Sequence, residues 1–334
     1  MRVAVTGATG FVGSHVVEAL LDGGHEVHAA VRRPDDGTRV GHLQEAASSR
    51  PGTLHLHRGD LLEPNSFDEA FAGADGLIHV AAVALFTSSD PQTKIVDPSV
   101  QGTRHVMEAA ARAGIGRVVM TSSVAAMGSI RASQTRALSE EDWNDAATLQ
   151  SDPYGLAKTQ AERLAWSLAA ETGIELVTLQ PGMVWGPVRH RRHLRASPLF
   201  LVDILRDAQP MIPRFGFGVV DVRTVARMHV EALEDRQMTG RMCLVEHAVW
   251  LPEVAALLAA TYPEQVPRRF TAPDLALWAM VPFNKRLTPS LLSDALGRMP
   301  SYDAARFLHR TGGRTRRWEE TVLDTAESIR IFDK

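Results

Sequence analysis

The chain has one cysteine, no long apolar run and almost no excess charge, and each shortage excludes a class of protein. Cys243 cannot form an internal disulfide, so we expect a cytoplasmic protein in a reducing compartment. No stretch reaches the roughly 18 apolar residues that a membrane span requires, and no basic segment with an apolar run suggests a signal peptide. The formal charge of −3, from 36 basic and 39 acidic residues, gives no reason to expect a nucleic acid or a membrane surface as a partner.

What is present is an alternation of short β-rich runs with segments of helical periodicity. Strands are predicted at residues 2–6, 26–31, 53–56, 77–80, 117–121 and 175–179, and helices at 11–22, at 100–113, from about 154 and at 318–331. Parallel strands need crossover helices between them. The alternation therefore predicts an α/β fold with a doubly wound parallel sheet.

The first strand-to-helix turn carries three glycines in G-x-x-G-x-x-G spacing: Gly7, Gly10 and Gly13. Gly7 permits a tight turn, Gly10 lets the backbone approach a diphosphate, and Gly13 lets the helix pack closely on the strand. The helix N-terminus adds amide donors and the positive end of a dipole. This loop predicts a Rossmann-type dinucleotide site, with a glycine turn that binds no ligand as the alternative.

The end of the second predicted strand distinguishes between the two nicotinamide dinucleotides. An NAD site places Asp or Glu about 20 residues after the glycine loop, where it bonds the ribose 2′-hydroxyl. Arg32 and Arg33 stand there instead, and a guanidinium binds a 2′-phosphate through charge-assisted hydrogen bonds. We therefore expect NADPH or NADP⁺, with NADH less favoured. A solvated arginine pair near Asp35 and Asp36 is the alternative.

A second motif opens the helix predicted near residue 154. Asp152 is a suitable N-cap and Pro153 suits the first helical position, so Tyr154 and Lys158 form an i, i+4 pair in the first turns. The lysine ammonium and the helix dipole both stabilise a phenolate. Since Tyr-x-x-x-Lys is frequent by chance, its weight comes from its context. The pair predicts a proton donor with an electrostatic partner, for redox chemistry on a carbonyl or alcohol.

Three hydroxyl residues follow the strand predicted at 117–121. Thr121, Ser122 and Ser123 leave the sheet at its carboxyl edge, where open α/β sheets bind ligands. A hydroxyl there can hold a substrate oxygen while Tyr154 transfers the proton. An ordinary Ser/Thr-rich turn is the alternative.

Together with the segments 78–81, 181–187 and 220–226, these motifs resemble the extended short-chain dehydrogenase/reductase family of the NAD(P)-dependent epimerase/dehydratase superfamily. Within it, they are most similar to the dihydroflavonol-reductase and aldehyde or ketone reductase branch, and the resemblance covers most of the chain. It implies that Ser123 is the catalytic serine, that Tyr154 is the acid and that Lys158 binds the nicotinamide ribose. With the motifs above, the implied cofactor contacts are Gly7, Thr9, Gly10, Phe11, Val12, Gly13, Arg32, Asp60, Leu61, Val80, Ala81, Ala82, Thr121, Tyr154, Lys158, Pro181, Met183 and Val184.

The length of 334 residues suggests about two domains, and the strand–helix pattern breaks after Pro181. We expect residues 1–180 to form the dinucleotide-binding domain, to which 217–240 return. Residues 181–216 and 241–334 are then a smaller C-terminal substrate-binding lobe. The final helix, with Val322, Ala326 and Ile329 on one apolar stripe, is expected to pack back onto the body.

Two departures from the branch limit what the resemblance says about substrate. Gln101 stands where the family often has an asparagine, and Gly128 stands five residues past Ser123, where the flavonoid enzymes carry a substrate-contacting asparagine. A plant flavonoid is therefore not predicted. The candidate apolar walls of the substrate pocket are Phe86, Met127, Met183, Trp185 and Phe215. The basic run at 189–195 is interpreted either as a contact for an anionic substrate or as solvated loop charge.

The sequence therefore predicts an NADPH-dependent reductase that converts an aldehyde or ketone to the alcohol, acting on a small molecule. A hydroxysteroid dehydrogenase or nucleotide-sugar epimerase on the same fold is the alternative, and a non-catalytic NADP-sensing protein is a further one. The thirteen histidines show no HExxH or comparable spacing, so no metal is predicted. A homodimer is left open.

Overall fold

The computed structural model describes residues 1–83, 85, 88–206, 211–264, 266, 270–283 and 287–332. The strands, numbered along the chain, are β1 Arg2–Thr6, β2 Glu26–Val31, β3 Thr53–Arg58, β4 Gly76–His79, β5 Arg117–Thr121, β6 Glu175–Pro181, β7 Met183–Trp185, β8 Gly216–Asp221, β9 Gly240–Leu244 and β10 His247–Trp250. The α-helices are α1 Phe11–Asp22, α2 Gly37–Ser48, α3 Asp68–Phe71, α4 Asp97–Arg112, α5 Pro153–Thr172, α6 Leu199–Leu205, α7 Val222–Glu234, α8 Leu251–Thr261, α9 Asp274–Met280, α10 Pro289–Ala295, α11 Ala305–Arg310 and α12 Trp318–Phe332.

The chain forms two compact units, of which the first comprises Met1–Ala126, Pro153–Gln180 and Val222–Met242. Seven of the described strands form one sheet, in the order β3-β2-β1-β4-β5-β6-β9. Each neighbouring pair from β3 to β6 is parallel. The predicted α/β fold with a doubly wound sheet is confirmed.

Helices cover the sheet of the first unit. α4 packs against α5, and α1 packs against α7. An apolar cluster joins α3, α4 and α5 to the sheet and includes Phe67, Phe71, Leu77, Val106, Met107, Val118 and Leu176. Because both faces of a parallel sheet are covered, its inner strands are apolar at successive positions. In β1, for example, Val3, Ala4 and Val5 are all fully buried.

The second unit comprises Met127–Asp152, Pro181–Asp221 and Cys243–Lys334. Its sheet has the order β10-β8-β7, in which β7 is parallel and β10 antiparallel to β8. α12 packs against β7, β8, α6 and α8, and its apolar residues Val322, Ala326 and Ile329 are fully buried. Burial of this stripe attaches the last helix to the second unit.

The two units differ from the predicted domain boundaries at three places. Residues 127–152 belong to the second unit, where Leu138 bridges to Tyr302. Residues 217–221 also belong there, because β8 pairs with β7 and β10 rather than with the large sheet. Residues 241–242 stay with the first unit, whose sheet ends at β9.

Among the described residues, none of the helices combines the length and the hydropathy that crossing a bilayer requires.

Candidate active site

The strand order of the large sheet reverses between β1 and β4. In doubly wound sheets, ligands bind at the carboxyl ends of the strands at such a switch point. Gly7 follows β1 there, and Val80 and Ala81 follow β4. Gly7 has a φ of 72°, and a Cβ at this position would lie only 2.5 Å from the backbone nitrogen of Ala81. Both the positive φ and the close approach require glycine.

The two other glycines complete a cradle of bare backbone. A Cβ on Gly13 would lie 2.1 Å from the carbonyl oxygen of Gly7, so the first turn of α1 packs directly on the loop. Gly10 is exposed and forms the N-cap of α1, which receives no side-chain hydrogen bond there. An exposed loop without side chains at a helix N-terminus fits a diphosphate group.

The remaining predicted cofactor residues of the first unit lie in this loop and after the strands that flank it. Thr9 and Val12 are half-buried, and Phe11 is buried. Beyond β3 and β4 lie Asp60, Leu61, Val80 and Ala81, which are half-buried, and Ala82, which is exposed. The parallel strands bring all of these positions to one edge of the sheet. Asp60 is fixed there because its carboxylate accepts the backbone N–H of Leu62 at 3.0 Å.

Arg32 lies exposed directly after β2, where a nucleotide ribose is expected. The nearby carboxylate of Asp36 caps α2 and accepts hydrogen bonds from Thr38 and from Arg39 Nε, the latter at 2.9 Å. The Thr38 hydroxyl, followed by Arg39, holds the pKa of Asp36 below its ordinary value. The arrangement at this strand end therefore fits a phosphate group on the ribose, because Asp36 has partners of its own.

Strand β5 ends in the predicted hydroxyl triplet. Thr121 donates its hydroxyl to Nε2 of His229 at 2.6 Å, and His229 Nδ1 donates to the carbonyl of Val225. Burial lowers the pKa of His229 to about 4, which keeps this ring neutral. Ser123 is 9% exposed, and its Oγ accepts the backbone N–H of Ala125 at 3.2 Å. Thr121 is thus held by both its side chain and the strand.

Tyr154 and Lys158 lie in the first turns of α5, which begins at Pro153 as predicted. Tyr154 is half-buried, and Lys158 is 7% exposed. The Lys158 Nζ atom lies 6.0 Å from the centroid of the Tyr154 ring and donates to the carbonyl oxygen of Thr121 at 3.4 Å. The structure therefore brings together three predicted residues from β5 and α5.

Burial gives the lysine an unusual titration. It lowers the pKa of Lys158 to about 8, and the charge of Glu162 acts in the opposite direction. Burial and the nearby charge of Lys158 lower the pKa of His79 to about 3. His79 Nδ1 and the hydroxyl of Thr6 share a hydrogen bond of 2.7 Å. The site therefore holds a cation that changes its charge near physiological pH.

Sequence reasoning missed Glu162, one turn after Lys158 on α5. Glu162 is fully buried, and its carboxylate binds Arg241 Nε at 2.8 Å and accepts the hydroxyl of Ser122. It also accepts hydrogen bonds from Thr178 and Gln180, each at 2.7 Å. These partners offset the cost of burying a carboxylate in the interior. The detectable signal was a glutamate on the buried stripe of α5.

The predicted residues of the second unit differ in exposure. Pro181 and Val184 are buried, and Met183 is half-buried. Trp185, Met127 and Phe215 are 0%, 1% and 4% exposed, and Phe215 belongs to a small apolar cluster with Leu277 and Leu292. Phe86 lies outside the described residues. Among the described candidates for a substrate wall, Met183 therefore has the greatest exposure.

Gly128, the departure from the flavonoid enzymes, lies in the second unit and packs on Leu138. A Cβ at Gly128 would meet two methyl carbons of Leu138 at 3.0 Å. An asparagine would need Leu138 to move, so this chain lacks both the amide and the space for it.

Comparisons with known proteins agree with this geometry. The model of the NAD dependent epimerase/dehydratase family matches residues 3–241. Cinnamoyl-CoA reductase CAD2 of Medicago truncatula is 35% identical over 273 residues, which are 80% of this chain and 83% of that protein. Dihydroflavonol 4-reductase of Arabidopsis thaliana is 32% identical over 294 residues, 86% of this chain and 76% of that protein. The crystal structure of yeast methylglyoxal/isovaleraldehyde reductase Gre2 complexed with NADPH has a TM-score of 0.80 and 25% identity, and the match covers 100% of this chain and 99% of that one.

Proposed function

Because the chain belongs to the NAD dependent epimerase/dehydratase family, we propose that it reduces an aldehyde or ketone to the alcohol with NADPH. Within that family it is an extended short-chain dehydrogenase/reductase, an NAD(P)-dependent oxidoreductase. The first unit binds the cofactor and the second binds the substrate. The observation that carries the proposal is the position of Lys158. Its buried ammonium donates to the carbonyl of Thr121, at the carboxyl end of β5, and lies 6.0 Å from the centroid of the Tyr154 ring.

Each residue of this site has a distinct role in the proposed reaction. Bound NADPH supplies the hydride for the carbonyl carbon. Tyr154 gives its phenolic proton to the substrate oxygen, and Ser123 donates a hydrogen bond to the same oxygen. Lys158 binds the nicotinamide ribose, and its ammonium stabilises the phenolate that remains on Tyr154. Thr121 holds Lys158 in place through its carbonyl oxygen.

Cofactor choice depends on Arg32. An exposed guanidinium at the end of β2 suits a 2′-phosphate, and Asp36 is already engaged by Thr38 and Arg39. The structural neighbour crystallised with NADPH supports the same choice. We therefore propose NADPH rather than NADH as the reductant.

The substrate is proposed to be a small carbonyl compound that contacts Met183. The exposed Arg191, Arg192 and Arg195 lie in the same unit, within the 3₁₀ turn Arg191–Arg195. If this run binds an anionic substrate such as a CoA thioester, alanine at Arg191 and Arg192 reduces activity on anionic substrates and leaves neutral ones unaffected. An equal effect on both classes contradicts an anion-binding role.

The decisive experiment measures NADPH oxidation against a panel of aliphatic, aromatic and steroid-like aldehydes and ketones, with NADH in parallel. The proposal expects stoichiometric NADPH consumption with at least one carbonyl class and weaker turnover with NADH. An epimerase would recycle its cofactor, and so net NADPH consumption distinguishes the two activities. Tight NADPH binding without turnover on any carbonyl would instead favour a cofactor-sensing role.

A further inference from the structure

A cluster of histidines and carboxylates lies at the outer edge of the large sheet. β3 is the edge strand and pairs in parallel with β2, with His28 opposite His55 and Glu26 opposite Thr53. Residues two apart on a strand share a face. Glu26 and His28 therefore lie on the same side of the sheet as His55 and His57.

Three side-chain atoms of this cluster converge on one point. Glu26 Oε1 lies 2.9 Å from His28 Nε2 and 3.5 Å from His55 Nε2, and the three atoms all lie within 4.8 Å of one another. Zinc binds nitrogen and oxygen ligands at about 2.0–2.2 Å, which places the ligand atoms of a tetrahedral site about 3.3–3.6 Å apart. The two separations from Glu26 Oε1 lie near this range, and the two imidazole nitrogens lie within 4.8 Å of each other, so side-chain movements would complete the coordination.

The hydrogen bonds behind His28 determine which of its nitrogens carries a proton. His57 Nδ1 donates to Glu69 Oε1 at 3.2 Å, which leaves His57 Nε2 as the acceptor for His28 Nδ1–H at 2.8 Å. His28 Nε2 then carries a lone pair, and it accepts the N–H of Arg2 Nε at 2.9 Å. A carboxylate–histidine–histidine chain of this kind orients a metal-binding imidazole and increases its basicity.

This tautomer places two acceptor atoms side by side. His28 Nε2 lies 2.9 Å from the carboxylate oxygen of Glu26, and because both atoms are acceptors in this tautomer, the pair is stable only with a cation beside it. In the structure that cation is Arg2, whose Nε lies 2.9 Å from His28 Nε2 and 3.9 Å from Glu26 Oε1. His28 is 2% exposed. A buried neutral imidazole is the form that binds metal ions.

We propose that Glu26, His28 and His55 bind a divalent transition-metal ion of the Zn²⁺ class, with water at the fourth position. His57 and Glu69 orient His28 without touching the ion. Such an ion joins β2 to the edge strand β3. Arg2 is the competing cation, since its Nε already occupies the lone pair of His28, and its side chain is 39% exposed and has room to withdraw.

The test titrates Zn²⁺ into tag-free, chelator-treated full-length protein and measures affinity by calorimetry, with Co²⁺ absorption as a second probe of ligand geometry. The wild type is expected to bind one equivalent. His55→Ala and Glu26→Gln, both at half-exposed positions, should each weaken binding by about tenfold or more. His28→Ala should also weaken binding. Because His28 is buried, this variant can fail to fold, and His55→Ala and Glu26→Gln then provide the test. His309→Ala, at an exposed histidine of the second unit, is the matched control and should bind normally.

Two further outcomes bear on the position of the ion. Arg2→Met removes the competing guanidinium and should tighten Zn²⁺ binding, and Zn²⁺ should raise the melting temperature of the wild type but not of His55→Ala. No binding to the wild type, or equal binding by His55→Ala and His309→Ala, overturns the proposal. An unchanged or weaker affinity in Arg2→Met contradicts the placement of the ion beside His28 Nε2.

Discussion

The Nζ atom of Lys158 lies 6.0 Å from the centroid of the Tyr154 ring, one helical turn away on α5. The same atom donates to the carbonyl of Thr121 at the end of β5. A buried ammonium in this position favours the anionic form of a neighbouring phenol. The proposed proton transfer depends on this pair, because a phenol without the cation is a weak acid near neutral pH.

Tyr154→Phe removes the proposed proton donor and keeps the ring. We expect kcat for carbonyl reduction to fall by about 10²-fold or more, the size of a general acid contribution. NADPH affinity, measured by fluorescence titration, should change little. Tyr262→Phe is the matched control, since the Tyr262 ring that faces Arg330 is preserved in that variant. Near-normal turnover by Tyr154→Phe with intact NADPH binding would show that the mechanism is wrong.

The lysine predicts a pH dependence with a definite sign. Burial lowers the pKa of Lys158 to about 8, so the fraction of free enzyme with a charged ammonium falls as pH rises through that value. We expect kcat/KM for reduction to decline above about pH 8. The charge of Glu162 raises the pKa of Lys158, so Glu162→Gln should move this decline to lower pH.

A pH profile of kcat/KM for wild type and Glu162→Gln tests this expectation. Glu108→Gln, at an exposed glutamate that pairs with Arg104 on α4, is the control and should leave the profile unchanged. Because Glu162→Gln also removes the buried ion pair between Glu162 and Arg241, it should destabilise the fold by about 3–5 kcal/mol. A decline at the same pH in wild type and Glu162→Gln would contradict the proposed coupling.

Much of the first unit follows from local sequence. The bounds of β1, α1, β2 and β5 agree with the predictions because apolar runs and the glycine turn mark them directly. α2 is absent from the predictions, since only Val40, Leu43 and Ala46 are buried along its twelve residues and its apolar stripe is correspondingly weak. α4 begins at Asp97, three residues earlier than predicted, with its proline in the first turn.

The partners of the site residues are harder to predict than the residues themselves. Tyr154 and Lys158 belong to one helical turn, and spacing alone reveals them. Glu162 meets Arg241 across 79 residues of sequence, and His28 meets His55 only because β2 and β3 pair in that register. Such contacts depend on which strands and helices pack together and in what register, and the spacing of residues along the sequence does not reveal this.

Two glycine-to-alanine substitutions distinguish the steric cost of a new Cβ in the glycine loop from the stabilisation that alanine gives at an unhindered helix position. In Gly13→Ala, the new Cβ would lie 2.1 Å from the carbonyl of Gly7, so we expect a loss of about 1–3 kcal/mol in the free energy of unfolding and weaker NADPH binding. Gly41→Ala, in α2, meets nothing within 4 Å and should stabilise the protein by about 0.5–1 kcal/mol. Urea unfolding and NADPH titration of both variants provide the measurement. Equal effects of the two substitutions would contradict the close packing of α1 on the loop.

Arg32→Ala tests the choice of cofactor. If the guanidinium binds the 2′-phosphate, its removal should weaken NADPH binding about tenfold to a hundredfold, the equivalent of roughly 1.5–3 kcal/mol for a hydrogen bond to a charged group. NADH lacks that phosphate, so its affinity should stay the same.

The control for this variant is Arg104→Ala, which removes an exposed arginine from α4. Both affinities should be measured at two salt concentrations, because screening weakens a charge-assisted contact at an exposed site. The difference between wild type and Arg32→Ala should therefore narrow as salt increases. Equal losses for NADPH and NADH would place Arg32 on a part of the dinucleotide that both share. No loss for either would mean that Arg32 is a solvated surface charge and that cofactor preference has another source.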